Sequence, residues 1–150
     1  MHPLAEQWRV EVIQPVLTRL DLLSDSAVNL LLGTIAVESQ FKWIRQWPHG
    51  PARGFYQIEL PTAHDVLNRC PDKYFTKVME LGGPSVVEDL VWNLAFQTAI
   101  ARLKYYLIPQ ALPPADNILA LAEYWLTWYN GGGKGTIMRF LDAWNEYVNA

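Results

Sequence analysis

The chain holds a single cysteine, Cys70, which excludes an internal disulfide and any cysteine-rich zinc site. Charge is scarce: Asp, Glu, Lys and Arg make up 18% of the 150 residues. An average globular domain carries roughly 25%. Neither sign dominates, with 12 Lys+Arg against 15 Asp+Glu, so the chain does not read as a nucleic-acid binder. Long apolar runs are missing too. The most apolar stretch, residues 27–37, is eleven residues long and contains Asn29, too short to span a bilayer. The start, Met1-His2-Pro3-Leu4-Ala5-Glu6, has no basic segment followed by an apolar one. A signal peptide is therefore not expected, and the product is expected to be soluble. There is no internal repeat, low-complexity tract, Gly-x-Ser-x-Gly elbow or Walker spacing. His49 and His64 stand fifteen positions apart with no ligand-spaced partners, so neither metal nor cofactor is expected.

What is present is an apolar chain, 51% hydrophobic, with seven tryptophans. That length and composition fit one folded domain over residues 1–150. The periodicity predicts a mainly α fold of about six to seven helices with at most a small β-hairpin. Pro15 is expected to kink or end the first helix. Ser24-Asp25-Ser26 caps an apolar helix reaching about residue 39. Residues 42–60 lose the period and carry Pro48, Gly50, Pro51 and Gly54, a structured loop in which Phe55-Tyr56-Gln57-Ile58 reads as a short strand. Thr62 is expected to cap the next helix, and Pro71-Asp72 opens one that stops at Gly82-Gly83. Residues 84–107 read as the longest helix, 116–129 and 136–148 as the last two. Trp92, Trp125 and Trp144 are expected in the core, and Trp43, Trp47 and Trp128 beside a cleft.

Three features carry chemistry. Glu38, next to Ser39, ends the apolar helix. Burial there raises a carboxyl pKa, and the C-terminal end of a helix dipole disfavours the charge. A carboxylic acid so raised donates protons near neutral pH. A solvated helix-end glutamate is the plainer reading. Residues 39–58 carry Lys42, Arg45, His49 and Arg53 with no Asp or Glu, which suits an anionic ligand. The same loop holds Phe41, Trp43, Trp47, Phe55 and Tyr56, whose faces suit either a core or sugar rings. Finally, Trp128-Tyr129-Asn130-Gly131-Gly132 ends a helix with hydrogen-bonding side chains and free backbone.

Together, Glu38-Ser39, Gly54-Phe55-Tyr56-Gln57-Ile58 and Tyr129-Asn130-Gly131-Gly132 resemble, in order, the three signature blocks of the soluble lytic transglycosylase family. Asn93-Leu94 through Tyr105-Tyr106 is similar, more weakly, to that family's middle helix. The small size resembles the phage-encoded members. Tyr56 replaces a usual Met, Pro61 is displaced, Gln97 replaces a Gly, and Trp128 replaces a small residue.

The resemblance implies a lysozyme-like fold and cleavage of the β-1,4 bond between N-acetylmuramic acid and N-acetylglucosamine in peptidoglycan. It implies Glu38 as the catalytic acid/base, with Ser39, Phe55, Tyr56, Gln57, Tyr129 and Asn130 binding substrate. Glu59 is the candidate second carboxylate of a water-using lysozyme, the alternative reading, and Asp65 is expected to be exposed. The expected partners are peptidoglycan glycan strands and phage virion proteins, with no nucleic acid and no membrane span. A monomer is expected, synthesised without a signal peptide and delivered to the cell wall by a phage virion or at lysis. A non-catalytic wall-binding virion protein is the remaining alternative.

Overall fold

The computed structural model describes residues 1–130 and 133–150. The fold is mainly α, with eight helical stretches among the described residues. The first is one continuous rod made of α1 (Pro3–Gln7), a π-helical turn (Trp8–Ile13) and α2 (Gln14–Leu20). Pro15 does not end it. Proline lacks an N–H and its ring crowds the carbonyl four residues back. The wider π-turn, in which the Gln14 N–H donates to the Arg9 carbonyl, makes room for that ring.

The central element is α3 (Asp25–Ser39), capped by the Ser24 hydroxyl, which accepts from the Ala27 N–H. It is buried on nearly every side, as an all-apolar helix must be. It packs against α9 (Ile137–Ala143), the C-terminal π-turn (Trp144–Asn149), α8 (Ile118–Trp128), α7 (Leu94–Tyr106) and the first π-turn. Gly33 lets the Phe140 ring lie against the α3 backbone: a Cβ there would sit 2.2 Å from that ring.

On the other flank lie α4 (Leu60–Arg69), α5 (Asp72–Leu81) and α6 (Val86–Trp92). Glu59, not Thr62, occupies the N-cap of α4, because Pro61 takes a first-turn position where no N–H is needed. The long helix expected over 84–107 is two helices. Asn93 breaks it: its carbonyl oxygen Oδ1 accepts from the Phe96 N–H at 2.9 Å, starting α7, while its Nδ2 donates to the Leu81 carbonyl at 2.9 Å. The segment 55–58 is a tight turn rather than a strand. Two isolated bridges, Arg45 with Arg53 and Arg53 with Ile58, are the β pairing among the described residues. Trp92 is 66% exposed rather than core, whereas Trp125 and Trp144 are buried. No helix among the described residues is long and apolar enough to cross a membrane.

Candidate active site

At the C-terminal end of α3 the chain leaves the helix through two left-handed residues, Gln40 (φ 57°) and Phe41 (φ 58°). This turn sends residues 42–53 across the helix end and leaves Glu38 facing a cavity of about 520 Å³. Gln46, Ala52, Gln57, Ile58, Glu59, Thr62, Lys104, Tyr129, Asn130 and Gly133 complete the lining. Of the residues singled out from sequence, Glu38, Gln57, Glu59, Tyr129 and Asn130 therefore meet around one space. Gly131 and Gly132, the end of the third block, lie outside the described residues.

Glu38 is half-buried. Its Oε1 accepts a hydrogen bond from the Trp125 indole N–H at 3.2 Å. Burial pushes its pKa up to about 7; the Trp125 hydrogen bond and the positive charges of Lys104 and Arg139 pull the other way and are outweighed. The carboxyl is thus close to half-protonated at neutral pH, the condition in which one group can both give and take a proton.

Lys104, on α7, reaches into the cavity. Its Nζ donates to the Tyr129 carbonyl at 3.1 Å and lies 3.8 Å from the centroid of the Tyr129 ring. Burial lowers its pKa, against the opposing pull of Glu38 and Glu59. Tyr129 in turn donates its hydroxyl to the Tyr56 carbonyl at 2.6 Å, tying the end of α8 to the 54–58 turn. Burial, aided by the charge of Glu38, raises its pKa well above the ordinary phenol value.

The 54–58 turn is built by glycine and by Gln97. Gly54 has φ 72°, and a Cβ there would lie 2.4 Å from the Leu90 carbonyl oxygen. The Gln97 Oε1 accepts from the Phe55 N–H at 3.0 Å. Gln57, itself at φ 51°, donates its Nε2 to the Gly54 carbonyl at 2.9 Å. Its side chain is locked at the cavity wall by its own turn rather than by the alternation of a strand.

Three expected binding residues do not line the cavity. Ser39 is fully buried and donates its hydroxyl to the Ile35 carbonyl, 3.2 Å away. Tyr56 is buried with its hydroxyl 2.9 Å from the Thr98 Oγ1. Phe55 packs edge-on against Trp8, ring centroids 5.2 Å apart. All three shape the scaffold beneath the site. Trp128 is half-buried and also stands outside the lining. Asp65 is exposed and paired with Arg69.

Among the residues at the site that escaped the sequence reading are Trp125 and Lys104. Each had a signal. Trp125 lies one helical turn before Tyr129, hence on its face, and Lys104 shares a face of α7 with Gln97, seven residues earlier. No group of three His, Cys, Asp or Glu side chains among the described residues is arranged to hold a metal.

No protein-family model matches the sequence, no curated protein matches it, and no solved structure matches the fold.

Proposed function

We propose that the protein cleaves peptidoglycan glycan strands as a lytic transglycosylase, with Glu38 as its single acid/base. The observation that carries this reading is the Glu38 carboxyl, half-buried at the wall of a roomy cavity and pushed up to about pKa 7. Protonated Glu38 gives its proton to the glycosidic oxygen as the bond to the muramyl anomeric carbon breaks. The resulting carboxylate then takes the proton of the muramyl 6-hydroxyl, whose oxygen closes on that carbon. The product is a 1,6-anhydro sugar, no water is consumed, and Glu38 is protonated again. Gln57 and Asn130, with amides at the cavity wall, supply donors and acceptors to the acetamido and hydroxyl groups of the sugars. The order of the three sequence blocks supports the same reading, and by that likeness a phage delivers the protein to the wall.

A second reading has one observation in its favour: Glu59 lines the same cavity and is exposed to solvent, where it can activate water. The protein would then be a lysozyme with two carboxylates. Mass spectrometry of muropeptides released from purified peptidoglycan separates the two. Anhydro ends, lighter by one water, are expected, and Glu38→Gln is expected to abolish release. Reducing ends from complete digests would establish the hydrolase. Equal clearing by wild type and Glu38→Gln would remove Glu38 from the chemistry, and clearing by neither would leave a wall-binding protein without catalysis.

A further inference from the structure

Beside the Glu38 cavity stands a patch of aromatic surface that the proposed chemistry does not use. Trp47 is 73% exposed and Trp43 36%, and their rings stack on each other, centroids 5.8 Å apart and planes inclined by 25°. Two large indoles left in water in a chain that buries Trp8 and Trp125 ask for a ligand. A second cavity of about 360 Å³ lies at their edge, lined by Arg45, Gln46, Trp47, Pro48 and His49. Gln46 belongs to the wall of both cavities, so the two are neighbours.

The platform is held in shape before any ligand arrives. The Gln46 N–H donates to the Ala52 carbonyl at 2.9 Å, and the Gly54 N–H to the Ile44 carbonyl at 2.7 Å. The Gln46 Oε1 accepts from the Ala52 N–H at 3.1 Å. A preformed surface spends little of its binding energy on ordering itself. Positive charge surrounds it: the Lys42 Nζ lies 4.7 Å from the Trp43 ring centroid, and no acidic residue occurs between Ser39 and Ile58.

We propose that Trp47, backed by Trp43 and flanked by Arg45 and His49, is an outlying subsite that stacks a sugar ring of the glycan strand threaded through the Glu38 cavity. This rests on the glycan-cleaving reading of that cavity and adds where the strand runs. The flat apolar face of a pyranose meets the indole, while guanidinium, amide and imidazole at the rim meet its hydroxyl and acidic substituents. The same exposed indoles with Ile44 and the nearby cations also fit an anionic lipid surface. The wall residue shared with the catalytic cavity and the polar rim favour the glycan.

The test uses the full chain carrying Glu38→Gln, so that sugars bind without being cut. Chitohexaose, which carries the acetamido pyranose rings of the glycan strand without the lactyl groups of muramic acid, is titrated by calorimetry into this protein and into versions adding Trp47→Ala or Trp47→Phe. Trp47→Ala is expected to weaken binding about ten-fold, and Trp47→Phe, which keeps a flat ring, to restore most of it. Unchanged affinity with Trp47→Ala overturns the subsite but leaves the catalytic reading standing. No binding by the Glu38→Gln parent overturns the subsite, and with no muropeptide release by the wild type it overturns the catalytic reading as well. Loss of affinity on Trp47→Ala in a protein whose wild type cleaves nothing keeps the subsite and removes the catalysis. Phosphatidylglycerol vesicles bound through Trp47, with chitohexaose affinity unaffected, would assign the patch to lipid instead.

Discussion

The proton affinity of Glu38 is set by a contest that burial wins. A hydrogen bond from Trp125 and the charges of Lys104 and Arg139 favour the carboxylate, yet desolvation holds the pKa near 7. Lys104 is the adjustable member, because it lines the same cavity. Lys104→Met removes a positive charge that favours ionised Glu38, so the pKa of Glu38 rises further. In the proposed reaction Glu38 must be protonated to act, so activity is expected to fall as pH rises through that pKa. The alkaline limb of the pH–rate profile, expected near pH 7 in the wild type, should therefore move to higher pH in Lys104→Met. An unmoved limb would show that Lys104 and the catalytic proton are not coupled. Trp125→Phe removes the indole donor and should shift the limb in the same direction.

At the scale of elements, the legible features were those with a local chemical cause. Ser24 caps α3 as its hydroxyl predicts, and Gly82 closes α5. The misread features have causes that lie elsewhere in the chain. Asn93 interrupts an apolar period that continues through it, and the reason to break there is the Leu81 carbonyl, twelve residues away. The 54–58 turn reads as a strand from its aromatic and branched residues. What bends it is Gln97 on α7 and the left-handed Gly54 and Gln57. Two outcomes follow. Asn93→Ala loses a helix cap and a second, partly buried hydrogen bond, and should lower unfolding free energy by about 1–3 kcal/mol in denaturant titration. Gly54→Ala places a Cβ against the Leu90 carbonyl oxygen in an unfavourable backbone region and should cost about 2 kcal/mol or more. It should also depress activity beyond what the stability loss explains, since the turn carries Gln57 at the cavity wall.

At the scale of the whole molecule, one buried helix organises both stability and site. The apolar stretch 27–37 announces α3, and its end announces Glu38; the rest of the cavity arrives from the 42–62 segment, α7 and α8, which no local pattern could assemble. Placing an ionisable group at the end of that helix has a thermodynamic signature. The folded-state pKa of Glu38 is about 7, against 4.5 for an unperturbed glutamate. Between those values the folded protein binds a proton that the unfolded chain has released, so stability falls as pH rises across this window. Below the window the group is neutral in both states, and above it the full cost of a desolvated carboxylate is present. Glu38→Gln keeps the shape and removes the charge. Its stability relative to wild type should therefore grow from pH 4.5 to pH 7 and then level off, by roughly 3 kcal/mol at most. Thermal melts of both proteins across that range provide the measurement. A constant difference would mean that Glu38 is as well solvated in the fold as outside it, and the case for a tuned catalytic acid would fall with it.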